Sequence, residues 1–167
     1  MTRKASTADI VERLGGVKVV VVGDVMLDRF VDGTVDRISP EAPIPVFSVT
    51  HETVMLGASG NVLRNLAVLG GEVFLSATIG DDAGGSEIRD LVTKEGQTTD
   101  GLHVVPGRRT AIKTRYVASG QQMMRADRET VDDIADDFAD AIADAVAGAV
   151  QDAGVLLLSD YGKGVLT

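Results

Sequence analysis

Apolar and polar positions follow two different periods along this chain, and the switches between them divide it into elements. Val19-Val20-Val21-Val22 is an unbroken β-branched run between Lys18 and Gly23. Such a run predicts a strand buried on both faces. Further strands are predicted at Glu72–Thr78, near Leu102–Val105 and at Val155–Leu158, the last again fully buried. Between them the apolar residues recur at helical spacing. Val62, Leu66 and Leu69 mark a helix opened by Gly57-Ala58-Ser59-Gly60-Asn61 and ended by Gly70-Gly71. Ser86–Lys94 predicts a helix closed by Gly96, and Asp132–Asp152 a long amphipathic one. Thr7 or Asp9 is placed to cap a short helix running to Leu14, before Gly15-Gly16.

Elsewhere the period is two. Thr110–Ala118 and Gln122–Ala126 predict a hairpin turning at Ser119-Gly120. In its first arm Ala111, Lys113, Arg115 and Val117 share one face, so both cations point the same way. Phe30–Gly33 and Pro45–Thr50 predict short strands. Three of the chain's 4 prolines lie between Pro40 and Pro45. Proline has no N–H to donate, so this segment is turn or edge structure. Strands alternating with helices predict a parallel, doubly wound α/β fold. The proline-rich segment and the hairpin, at about 30–50 and 110–126, predict a separate β-lobe.

Composition narrows the chemistry. A length of 167 residues is one domain's worth, and the net charge of −9 disfavours nucleic acid as a partner. The chain has no cysteine, which excludes disulfides, thiol catalysis and cysteine-zinc sites. His51 and His103 lack metal-ligand neighbours. Asp132, Asp133, Asp136, Asp137, Asp140 and Asp144 read as a solvated helix face. Met1–Thr7 starts basic without the apolar run of a signal peptide, and no segment is long enough to span a bilayer, so a cytoplasmic protein is expected.

The first strand is followed by Asp24 and Asp28. Open α/β sheets bind ligands beyond the carboxyl ends of their strands. Carboxylates there accept hydrogen bonds from hydroxyls, as a sugar would offer, and repel a bare phosphate unless a cation intervenes.

Four blocks together carry a resemblance: Val22-Gly23-Asp24-Val25-Met26-Leu27-Asp28; Arg37-Ile38-Ser39-Pro40-Glu41-Ala42-Pro43-Ile44-Pro45-Val46; Gly57-Ala58-Ser59-Gly60-Asn61 with Asn65-Leu66-Ala67-Val68-Leu69-Gly70; and Leu158-Ser159-Asp160-Tyr161-Gly162-Lys163-Gly164. From about Val17 onward the chain resembles the amino-terminal part of ribokinase-like (PfkB-type) carbohydrate kinases. Within them it is most similar to the branch that phosphorylates C1 of D-glycero-D-manno-heptose 7-phosphate, a precursor of ADP-heptose and lipopolysaccharide. The resemblance implies a mostly parallel doubly wound sheet, here incomplete, with a small β-sheet lid. It implies that Asp28, and less directly Asp24, holds sugar hydroxyls. Gly57, Ala58 and Asn61 match the family's Gly-Gly-x-x-Asn element, with Ala58 departing where a second glycine is usual. Lys113, Arg115 and Arg125 match lid cations that clamp the phosphate of a phosphorylated sugar, and Asp160 and Lys163 lie at another strand end facing the pocket. Plainer roles stand beside these: Asp28 as a cap or a partner of Arg29, Gly57–Asn61 as an N-cap turn, the lid cations as solvated charges, and Asp160 and Lys163 as turn residues.

The same resemblance implies ATP and Mg²⁺ as cofactors and a homodimer paired through the lid. The family's catalytic aspartate sits in a Gly-Ala-Gly-Asp element, with an Asn-x-x-Glu element before it, and neither sequence occurs here. Gly80-Asp81 is the one Gly-Asp pair besides Gly23-Asp24. The expectation is a sugar-holding portion without a catalytic base, binding no cofactor and inactive alone, with an apolar sheet edge exposed. Another sugar kinase of the family, acting on ribose, fructose phosphate or a nucleoside, and a non-catalytic interaction module remain open.

Overall fold

The computed structural model describes residues 6–167; the basic start, Met1–Ala5, lies outside the described residues. In chain order the elements are α1 (Thr7–Glu12), β1 (Lys18–Gly23), β2 (Val25–Ile38), β3 (Pro45–Ala58), α2 (Ser59–Val68), β4 (Glu72–Gly80), α3 (Ala83–Lys94), β5 (Leu102–Val105), β6 (Ala111–Ala118), β7 (Gln121–Arg128), α4 (Asp136–Val150) and β8 (Val155–Ser159). Two four-stranded sheets result, ordered β5-β4-β1-β8 and β3-β2-β6-β7. The first is parallel throughout, as the strand–helix alternation requires. In the second, β2 pairs antiparallel with β3 and parallel with β6, and β6 pairs antiparallel with β7.

The valine run does what its pattern predicts. Val21 is fully buried in β1, and Leu75, Ala77 and Ile79 of β4, Leu63 of α2 and Ile88 and Val92 of α3 close around the sheet. The second sheet joins this core through one face only. Leu27, Leu56 and Ile112 pack into it, while Met26 lies with Ala58 and Ala111 in a separate cluster. On the inner face Arg29 reaches Glu87 of α3 at 2.7 Å.

Several boundaries differ from the pattern-based reading. β2 and β3 run 14 residues each, not four to six. Their outer halves carry Asp32, Asp36, His51 and Glu52, so cross-strand hydrogen bonding extends them where apolar alternation gives no signal. Pro45 falls on the first residue of an edge strand, as its missing N–H requires. α1 is capped by Ser6, whose hydroxyl accepts from the Asp9 N–H while Asp9 accepts from the Ser6 N–H; the helix ends at Glu12. α3 begins at Ala83, three residues early, because Asp82 caps it by accepting the Gly85 N–H at 2.9 Å. A Cβ at Gly85 would meet the carbonyl oxygen of Gly80 at 2.3 Å, so only glycine lets this helix start against the end of β4.

α4 begins at Asp136, not Asp132. Residues 132–134 instead brace the segment after β8: Ile134 is buried and donates its N–H to the Gly164 carbonyl. β8 is paired as expected but not buried. Val155, Leu156 and Leu158 are exposed, Leu158 to 64%, because β8 is the edge of its sheet and only β1 adjoins it. No helix among the described residues is long and apolar enough to cross a membrane.

Candidate functional site

The free face of the second sheet carries the charges. Strand pairing sets Asp28 beside Lys113 and Phe30 beside Arg115, and then Lys113 beside Asp127 and Arg115 beside Arg125. Side chains two apart share a face, so Asp28, Phe30, Lys113, Arg115, Arg125 and Asp127 stand together, opposite the face that packs on α3. The predicted alternation of Lys113 and Arg115 is what the register delivers.

The central contact joins two sequence-predicted site residues. The Arg115 guanidinium donates to the Asp28 carboxylate at 2.5 Å, and it also lies over the Phe30 ring, 5.2 Å from its centroid. Both charged side chains are about one-fifth exposed, so the pair meets solvent without being fully hydrated. Gly57 explains how the carboxylate fits. A Cβ there would come within 2.4 Å of Asp28 Oδ2 and 2.9 Å of Met26 Cγ. Glycine at 57 thus makes room for the acid on the neighbouring strand.

The remaining lid cations are also paired. Lys113 Nζ lies 3.1 Å from Asp127 and 3.5 Å from Glu129. Arg125 Nε donates to Asp127 at 2.9 Å, and Lys163 Nζ donates to Glu129 at 2.9 Å. Asp127 is held below its ordinary 3.8: burial acts to raise it, but hydrogen bonds from Lys113 and Arg125 and their charges outweigh that. Lys163, distant in sequence, is thus tied to the lid through Glu129.

Asp24 has a different place. It is almost fully buried, and its carboxylate accepts the N–H groups of Tyr161 at 2.8 Å, Lys163 at 3.1 Å and Val165 at 3.3 Å. Its own carbonyl accepts the Ser59 hydroxyl at 2.6 Å and the Ser59 N–H at 2.9 Å. The acid is committed to backbone donors and pins the segment after β8 to the start of β2 and α2. Arg108 fastens the same segment from outside, donating to the carbonyls of Thr130, Asp132 and Lys163. Burial lowers the Arg108 pKa from its ordinary value, partly offset by the charges of Asp24 and Asp132.

Three other sequence-predicted residues stand apart from this network. Asp160 is exposed and accepts the Gly162 N–H at 2.8 Å, a turn contact. Asn61 is exposed in the first turn of α2. Ala58, at the junction of β3 and α2, has φ +52 and ψ −125, a conformation that favours glycine. The position where the chain departs from the expected Gly-Gly pair is therefore backbone-strained.

Sequence reasoning missed Phe30, Arg108, Asp127 and Glu129. Extending the period-two pattern of the hairpin from Arg125 would have reached Asp127 and Glu129; nothing in the sequence marks Arg108. A cavity of about 350 Å³ lies at the opposite end of the parallel sheet, lined by Lys18, Glu72, Gln97 and Asp152 among others. It adjoins the starts of β1 and β4, the end of an open α/β sheet where ligands are not expected.

Residues 17–162 match the model of the pfkB family of carbohydrate kinases. The chain belongs to that family. It is 48% identical over 166 residues to the bifunctional protein HldE of Paramagnetospirillum magneticum, covering 99% of this chain and 34% of that protein. It is 49% identical over 159 residues to HldE of Rhodospirillum rubrum, covering 95% of this chain and 32% of that protein. The chain thus spans about a third of the length of the curated relatives it matches. Among solved structures it is similar to a sugar kinase from Clostridium perfringens (TM-score 0.61, 17% identity, 84% of this chain and 42% of that one). It is also similar to Arabidopsis thaliana ribokinase complexed with ribose and ATP (TM-score 0.58, 19% identity, 86% of this chain and 45% of that one). The fold is therefore ribokinase-like α/β, with the mixed sheet as a lid-like layer beside the parallel one.

Proposed function

We propose that this chain is the sugar-holding portion of a kinase that phosphorylates C1 of D-glycero-D-manno-heptose 7-phosphate. The observation that carries the reading is the Asp28–Arg115 pair on the charged face of the second sheet, beside Gly57. It sets an acceptor for sugar hydroxyls beside donors for an anion, and a phosphorylated sugar needs both kinds of partner. In this reading Asp28 accepts hydroxyls, the backbone at Gly57 and Ala58 approaches the sugar, and Asn61 contacts a hydroxyl from the first turn of α2. Arg115, Lys113 and Arg125 face the phosphate, Arg by paired N–H donors and Lys as a point charge. Lys163 and Asp160 border the site, and Asp24 acts as a positioning residue that holds their segment in place.

Phosphoryl transfer needs charge neutralisation by Mg²⁺ and a base for the attacking hydroxyl. Among the described residues no cluster of three or more His, Asp or Glu side chains could hold a metal ion. The reading assigns ATP, Mg²⁺ and the base to the part of the longer relatives that this chain does not match. Among the described residues the outer edges of β3 and β7 are both unpaired, which supports a homodimer formed through the second sheet.

Titration calorimetry of the 167-residue chain tests the substrate assignment. Heptose 7-phosphate is expected to bind more tightly than ribose or fructose 6-phosphate, and Arg115→Gln to weaken it about tenfold or more. Equal or tighter binding of ribose or fructose 6-phosphate would replace the heptose assignment with another sugar of the same family.

A further inference from the structure

Glu129 sits where the site's cations converge. Its Oε1 accepts from Lys163 Nζ at 2.9 Å, and its Oε2 lies 3.5 Å from Lys113 Nζ. The three side chains are each less than one-fifth exposed. One lysine comes from the lid strand β6 and the other from the segment after β8, so a single carboxylate bridges two parts of the molecule that are 50 residues apart in sequence. The bridge is incompletely made. Glu129 Oε2 is buried yet has no hydrogen-bond donor, and Lys113 is drawn at the same time to Asp127 at 3.1 Å. A buried carboxylate oxygen without a donor is an unfavourable arrangement that release into water would relieve.

The cleft on the Lys163 side, lined by Asp24, Thr78, Arg108, Arg109, Thr130 and Lys163 among others, measures about 10 Å³, room for no more than one water. Two threonines, three cations and the buried Asp24 thus border a cleft too small for a phosphate while the segment stays as it is. Arg108 is occupied by the carbonyls of Thr130, Asp132 and Lys163, so the cations left to meet an incoming anion are the exposed Arg109 and the two that Glu129 holds, Lys113 and Lys163.

We infer that Glu129 is a displaceable internal anion: it occupies Lys113 and Lys163 in the free protein, and a phosphate group must expel its carboxylate to bind there. The inference rests on the reading of this face as a phosphate-holding site and deepens it. Glu129 becomes a residue that sets affinity without touching the sugar. Only the fraction of molecules with Glu129 swung away is competent, so the measured affinity is lowered by that fraction. Free phosphate and a phosphate ester share the chemistry, and the two are distinguished by using both as probes.

The test uses the full chain at low ionic strength, with inorganic phosphate and heptose 7-phosphate as separate probes. Glu129→Gln keeps the size and removes the charge; it is expected to tighten inorganic phosphate about tenfold. Asp144→Asn, an equal charge change on an exposed residue of α4 away from the site, is expected to leave it unchanged. Unchanged or weaker phosphate binding in Glu129→Gln overturns the inference, as does equal tightening in Asp144→Asn. A second readout needs no variant: in the wild-type chain, the Glu129 side-chain carboxylate resonance is expected to move as phosphate is added, and a stationary resonance overturns the inference. Tightening of inorganic phosphate with no binding of heptose 7-phosphate keeps the role of Glu129 and removes the sugar assignment, so the two failures are separable.

Discussion

The two sheets of this molecule are built on opposite terms. In the parallel sheet, β1 and β4 are apolar and buried, and their side chains touch helices or one another. In the mixed sheet one face is apolar and the other is a lattice of Asp28, Lys113, Arg115, Arg125 and Asp127, with β7 exposed along its whole length. Burial of apolar area gives the first sheet its stability and leaves it nothing to offer a polar ligand. Partly hydrated ion pairs add little stability to the second and leave its charges available. The scaffold and the site are thus separate layers, joined at the β2 start and by Asp24.

That contrast can be broken or sharpened in order of expected effect. Leu75→Ala, in the fully buried centre of β4, is expected to lower unfolding free energy by about 2–5 kcal/mol in urea denaturation, whereas Lys113→Gln is expected to cost less than about 1 kcal/mol. Similar costs for the two would contradict the division. Asp24→Ala leaves three backbone N–H groups without their acceptor and is expected to cost about 1–3 kcal/mol. Hydrogen exchange should show the loss concentrated at residues 159–165; a loss spread evenly over the chain would deny Asp24 its pinning role.

Ala58→Gly is expected to stabilise by about 1 kcal/mol, because glycine adopts φ +52 without the penalty that a Cβ incurs. A destabilised variant would mean that the packing of Ala58 with Met26 and Ala111 outweighs the strain. The smallest effect concerns pH. Asp82 is held below its ordinary 3.8: burial acts to raise it, but the Thr110 hydroxyl, the N–H groups of Gly85 and Thr110, and Arg128 outweigh that. The folded pKa is depressed, so its contribution is fully present above the ordinary carboxylate value and is lost as pH falls through the lowered one. Asp82→Asn should therefore flatten the stability profile below about pH 4 and leave the slope above it unchanged.

How much of this was legible in the sequence follows the same division. The valine run of β1 states its own burial; α2 stands close to where its apolar spacing put it, but the side chain it buries fully is Leu63, while Val62 and Leu66 are half-buried and Leu69 is exposed beyond its end. The outer halves of β2 and β3 were not legible, since polar residues there are held in strands by backbone pairing, Asp32 with His51 and Glu52 with Val31, and Asp36 falls at a break in the register. The start of α4 was missed because Ile134 is used against Gly164 and not in the helix. In the site, Lys113 and Arg115 could be assigned to one face from their spacing alone. The same spacing, continued from Arg125, puts Asp127 and Glu129 on that face too, but which cation each one meets is set by strand register, which the spacing does not give. Asp24 shows the limit most clearly. Its position after β1 suggests a ligand contact, and its burial, which no local pattern encodes, commits it to the backbone.

The central claim is that the charged face of the mixed sheet holds a phosphorylated sugar. Its most direct test is a nuclear magnetic resonance titration of the chain with D-glycero-D-manno-heptose 7-phosphate. The account predicts shifts confined to Asp28, Gly57, Asn61, Lys113, Arg115, Arg125 and Lys163. Shifts centred instead on Lys18, Glu72 and Gln97, at the large cavity on the far end of the parallel sheet, or no shifts at all, would contradict it.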